Sequence, residues 1–146
     1  MIIKQISVFV ENGVGGISEI TKILSDEKIN IRSAYVADTA EFGILRLIVT
    51  DTKKAEKVLS ENGIIVKESD VIAIEMPDTP GGLSDILDVL SKDDVNIEYL
   101  YAFVGKGENG ALMVFKADDA KKAEDALGKS GIVDVNKTSI LDMLSK

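Results

Sequence analysis

The 146-residue chain has no cysteine, no histidine and no tryptophan. Without cysteine there are no disulfides, no thiolate nucleophiles and no thiolate metal sites. Without histidine there is no imidazole acid–base chemistry and no histidine ligand for a metal. Arginine occurs twice, at Arg32 and Arg46, against a formal net charge of −8. An acidic surface with no basic stripe repels phosphate backbones, so nucleic acid is not expected as a direct partner. Lys53, Lys54, Lys121 and Lys122 sit among acids and read as solvated helix faces. There is no long apolar run, and residues 1–10 carry a single lysine and no acid. Neither a signal peptide nor a membrane span is read there, so a cytoplasmic protein without a membrane partner is expected.

What the chain does contain is a repeat. Residues 6–63 return as residues 72–131. V-F-V-E-N-G-V-G-G-I-S-E-I in the first copy answers I-E-M-P-D-T-P-G-G-L-S-D-I in the second. Aligning Gly15 with Gly81 and Gly63 with Gly131 makes the second copy two residues longer, and the excess falls in the turn from Gly105 to Gly110. A repeat of this length is one small domain duplicated. The expected boundaries are 1–69 and 70–146, joined at Glu68–Asp70, a stretch too short to act as a linker. Domains this small bury little core. The copies are therefore expected to pack together, and with a further copy of the chain.

Periodicity orders the elements within each copy. Ile6, Val8 and Val10 alternate with Gln5, Ser7 and Phe9, a strand pattern. Ile17, Ile20, Ile23 and Leu24 follow at helical spacing. Residues 31–37 and 42–49 are strand-like and joined by a polar turn. Residues 53–62 form a helix with Ala55, Val58 and Leu59 inward, stopped by Gly63. Residues 64–67 read as a fourth strand. The second copy repeats this order, with Leu83, Ile86, Leu87 and Leu90 as the inward stripe and Gly131 as a helix stop. The tail Thr138–Met143 stands at the repeat position of an opening strand. It is expected either to be ordered, as a strand on a neighbouring sheet edge, or to fray. The β-α-β-β-α-β order predicts an α+β fold: two ferredoxin-like domains, each a four-stranded antiparallel sheet with two helices on one face. Ile44 and Ile48 point to one face of their strand and Leu45, Leu47 and Val49 to the other. Helices cover only one of these faces, and the other is expected to meet a second sheet or subunit rather than to stay exposed.

The loop between first strand and first helix carries the chemistry. It reads Glu11-Asn12-Gly13-Val14-Gly15-Gly16-Ile17 in one copy and Pro77-Asp78-Thr79-Pro80-Gly81-Gly82-Leu83 in the other. Two successive residues without Cβ leave backbone N–H groups open at the positive end of a helix, where a carboxylate fits. Asp78, and more weakly the carbonyl of Asn12, can accept from an ammonium. Carboxylate and ammonium together describe a free amino acid. Turn chemistry and close packing of helix on strand account for the same residues without a ligand. Asn30 and Asn96 share a repeat position, each before an isoleucine, and read either as ligand donors or as turn residues. A dinucleotide fingerprint is excluded. Its third glycine would fall at Ser18, and Thr79 stands where the second copy needs its first.

These loops, with K-I-N-I and D-V-N-I downstream, resemble the ACT domain, the regulatory amino-acid-binding module, over essentially the whole chain. The resemblance implies two tandem ACT domains with no catalytic domain and no cofactor. It also implies an amino acid held at an interface between such domains. Carried over residue by residue, it points to Asn12, Gly15, Gly16, Ile17 and Asn30, and to Asp78, Gly81, Gly82, Leu83 and Asn96. Val14 departs from the pattern, which has proline there, and leaves the first loop less rigid. The leading reading is an amino-acid sensor acting as a homodimer on a partner metabolic enzyme. The alternative is a non-catalytic regulatory subunit acting mainly through that enzyme, similar to the small subunit of acetohydroxyacid synthase. Catalysis by Asp78, Asp85, Asp88, Asp93 and Asp94 is disfavoured, because their spacing suits a solvated helix face and its end.

Overall fold

Alternating apolar residues open the chain as a long strand, β1 (Ile2–Glu11), and glycines turn it into α1 (Gly16–Asp26). A hairpin follows, β2 (Ile31–Ala37) and β3 (Phe42–Val49), then α2 (Thr52–Glu61) and β4 (Val66–Met76). The second copy continues with α3 (Gly82–Lys92), β5 (Ile97–Ala102), β6 (Ala111–Ala117) and α4 (Ala120–Ser130). The structure is a computed structural model that describes residues 1–37, 41–104, 110–134, 140, 142, 144 and 145. The β2–β3 turn and the two extra residues of the second copy lie outside the described residues.

The chain divides into two compact units. The first comprises Lys4–Ser69 with Leu144–Lys146, the second Met1–Ile3 with Asp70–Met143. Strand order is β2-β3-β1-β4 in the first unit and β1-β4-β6-β5 in the second. Both are the antiparallel ferredoxin-like order that β-α-β-β-α-β predicts. In the first unit Ile6 lies beside Leu47 and Val8 beside Leu45. These side chains pack with Ile20 and Leu24 of α1 and with Ala55, Val58 and Leu59 of α2. In the second, Ile72 lies beside Phe115, and both join Ile86 and Leu90 of α3 and Ala123, Ala126 and Leu127 of α4. Burying one such leucine contributes about 2–3 kcal/mol.

Two expectations need correction. Glu68–Asp70 is where the two units divide, but it is no break between two strands, because β4 runs unbroken through it. Glu68 is held there by Lys4 at 3.6 Å and Lys53 at 3.2 Å. The second unit's fourth strand is the start of the chain. Met1 and Ala73 exchange backbone hydrogen bonds of 3.1 and 2.9 Å, and the Ile2 N–H donates to Glu124 Oε2 at 2.9 Å. Of the stretch Thr138–Met143, Ile140 and Asp142 are described. Both have helical backbone rather than strand, and Ile140 is buried. The sheet face of the first unit opposite its helices is closed at Gln5, Ser33 and Ile48 and open at Phe9 and Phe42. Gln5 Nε2 there donates to Ser69 Oγ at 3.3 Å.

Candidate functional site

The two glycines of each loop do different jobs. Gly15 and Gly81 cap their helices at φ +86° and +88°, in left-handed conformations that L side chains rarely adopt. Gly16 and Gly82 are instead pressed against the preceding strand end. A Cβ on Gly16 would lie 2.7 Å from the Glu11 carbonyl oxygen, and one on Gly82 would strike the Pro77 carbonyl oxygen. Close packing of helix on strand therefore accounts for the second glycine of each pair.

The turns use part of the donor set. The Gly16 N–H donates to Gly13 O at 3.3 Å, and the Gly82 N–H to Thr79 O at 3.0 Å. The turn holding Pro80 is the tighter one, as expected from its preset φ. The Glu19 and Asp85 N–H groups make the first helical bonds, to Gly15 and Gly81, both at 2.9 Å. Neither helix has a side-chain cap. The other helix of each unit does: Asp51 accepts from the Lys54 N–H and Asp119 from the Lys122 N–H, both at 3.0 Å. The amides of Ile17 and Ser18, and of Leu83 and Ser84, thus stand in helix starts that have no capping carboxylate or hydroxyl.

The ten sequence-predicted residues fall in four places. Asn12, Gly15, Gly16 and Ile17 share one loop, with Asn12 and Ile17 exposed. Asp78, Gly81, Gly82 and Leu83 share the other, with Asp78 exposed and Gly82 buried. Asn30 lies at the opposite end of its own unit. It opens β2, where its carbonyl accepts from the Thr50 N–H at 3.0 Å, whereas the Asn12 N–H donates to Glu41 O at the far end of the same hairpin. That hairpin spans about 25 Å. Asn96 repeats the arrangement, its carbonyl accepting from the Asp118 N–H at 3.0 Å. Within a unit, the asparagine and the loop do not meet. Asp85, Asp88, Asp93 and Asp94 are exposed along and after α3.

Two cavities flank the first loop, both within the first unit. The smaller, about 60 Å³, is lined by Asn12, Gly13, Ile17 and Val36. The larger, about 310 Å³, is lined by Gly16 and Ile20 of α1 and by the Gly63–Ile65 turn. Phe9, Phe42, Glu11 and Glu19 complete its wall. None of these four stands among the sequence-predicted residues. A signal was available in the pattern: Phe9 occupies an outward position in a strand whose other outward residues include Gln5 and Ser7.

The family model of the ACT domain pair matches residues 1–144. Protein BT0572 from Bacteroides thetaiotaomicron is similar over 100% of this chain and 97% of its own, at 38% identity and a TM-score of 0.88. The ligand-free regulatory subunit of aspartate kinase from Thermus thermophilus shares the fold, with 14% identity, 89% of this chain, 97% of its own and a TM-score of 0.63. So does a structure of aspartokinase alpha and beta subunits, at 16% identity, 89% of this chain, 96% of that one and a TM-score of 0.54. A comparison with curated proteins finds no match.

Proposed function

The chain belongs to the family of ACT domain pairs, and on that premise we propose that it is a non-catalytic regulatory protein that binds a free amino acid. One observation carries the reading. In each unit the helix after the first strand starts on a left-handed glycine without a side-chain cap, while the unit's other helix is capped by aspartate. The α-carboxylate accepts from the Ile17 and Ser18 amides, or from those of Leu83 and Ser84, with the helix dipole behind them. The ammonium faces Asp78 in the second loop and the Asn12 carbonyl in the first. Asn30 and Asn96 are offered to a ligand held by a second copy of the chain in a homodimer. The fold is also that of a protein described as a regulatory subunit of aspartate kinase, which supports a partner metabolic enzyme as the target. The ligand regulates by its difference in affinity between two arrangements of the protein.

A thermal-shift screen of the twenty amino acids tests this. One of them should raise Tm by an amount that grows with its concentration, about 2.7 kcal/mol of stabilisation at a hundredfold excess over Kd. Asp78→Ala should reduce the shift, and light scattering should give a dimer. No shift from any amino acid contradicts the reading. The second reading, a subunit that acts mainly through its enzyme, draws support from the exposed Phe9, Phe42 and Ile65. Co-purification with a larger enzyme, without any amino-acid-dependent shift, would favour it.

A further inference from the structure

The two units differ at one equivalent place. In the first, Phe9 is 53% exposed, Phe42 61% and Ile65 68%, and the three wall the cavity of about 310 Å³. At the matching repeat positions of the second stand Glu75, Gly110 and Val133. Glu75 and Val133 are buried, and a Cβ on Gly110 would run into the Met76 carbonyl oxygen. The second unit therefore closes its strand start onto the loop, where the first leaves aromatic rings facing open space. Large apolar groups in solvent at a concave surface mark a binding site more often than a bare surface does. Among the described residues, the charged side chains lining this cavity are both carboxylates, Glu11 and Glu19. At a net charge of −8 the chain as a whole also draws cations.

We propose that this cavity binds one small molecule per chain, bearing an ammonium group on an apolar body. Glu11 and Glu19 receive the ammonium, and Phe9, Phe42 and Ile65 cover the body. The inference goes beyond the proposed function by assigning a separate seat to a ligand with an apolar body, and it rests on that reading only in requiring a small-metabolite ligand. An apolar amino acid and the amine left on removing its carboxyl group share the chemistry the cavity recognises.

Calorimetric titration of the full chain with L-phenylalanine, L-leucine, 2-phenylethylamine and isoamylamine tests it. At least one probe should bind at one site per chain. Phe42→Ala and Glu19→Gln should each weaken it at least tenfold, as expected for loss of a stacking wall or a charge-assisted hydrogen bond. Both side chains are exposed, so Tm should stay near the parent value. Ile132→Ala, the second unit's counterpart of Ile64, should leave binding unchanged. Amines binding as well as amino acids, and weakened by both substitutions, would uphold the cavity and contradict the carboxylate-on-amide reading. Amine binding that neither substitution weakens would overturn the cavity. An amino acid whose binding falls in Asp78→Ala but not in Phe42→Ala or Glu19→Gln would uphold that reading and overturn the cavity. Binding by none of the four probes overturns the inference outright.

Discussion

Single glycines and two left-handed residues set the local geometry of each copy. Gly82→Ala must push the start of α3 off the Pro77 carbonyl, at a cost of about 1–3 kcal/mol. Gly13 meets nothing within 4 Å of its Cβ position, and its φ is not left-handed, so Gly13→Ala should be close to neutral. Urea denaturation of the two variants compares them directly. Lys28 and Asp94 hold φ of 58° and 53° at matching helix ends. Each sits in a turn where the following N–H reaches back across the helix end, Ile29 to Leu24 O and Val95 to Leu90 O, both at 2.9 Å. A non-glycine residue costs about 1–2 kcal/mol in this conformation. Asp94→Gly should therefore stabilise the protein by up to about 1 kcal/mol, seen as a rise in Tm. The roles of the paired glycines were only half legible in the sequence. Their position at a turn can be read from Asn12 and Asp78, but which glycine bends and which one packs depends on how near the strand end comes.

Elements held up better where their own periodicity decided them. β2, β3 and β6 lie where alternation places them, and Gly63 and Gly131 end α2 and α4 in left-handed conformations. β4 was not legible. Lys67-Glu68-Ser69-Asp70 has the composition of a turn, yet pairing with β1 and the lysines around Glu68 keep it extended. Strand preference yields to such neighbours. The start of β1 was missed for the same reason, since Glu124 on α4 is what receives the Ile2 N–H. The Met1 ammonium beside it lies 3.6 Å from Glu124 and is held below 8.0 by burial, against the upward pull of that carboxylate. The folded chain then binds fewer protons there than the unfolded chain. Stability accordingly rises as pH climbs from the depressed value to 8.0 and levels off above it. Glu124→Gln removes the upward pull and extends this window to lower pH, which denaturation at a series of pH values will show. The substitution also weakens the bond to Ile2, by about 1–2 kcal/mol.

At the scale of the whole molecule, the second unit is completed by residues from the other end of the sequence. Removing residues 1–3 takes away its fourth strand and the buried Ile3. Hydrogen exchange should then accelerate in β4 and β6 before it does in β2 and β3, and uniform acceleration would contradict this assignment. The duplication was legible from end to end. The unequal fate of its copies was not, because it turns on Phe42 standing at the repeat position that Gly110 holds in the other copy, and on how much space each leaves. The account as a whole rests on helix starts whose amides are open to a carboxylate. Amide-resolved NMR titration with the amino acid that raises Tm tests this most directly. The Ile17 and Ser18 signals, or those of Leu83 and Ser84, should move downfield in step with saturation. A ligand that saturates the protein while all four signals stay in place would contradict the account.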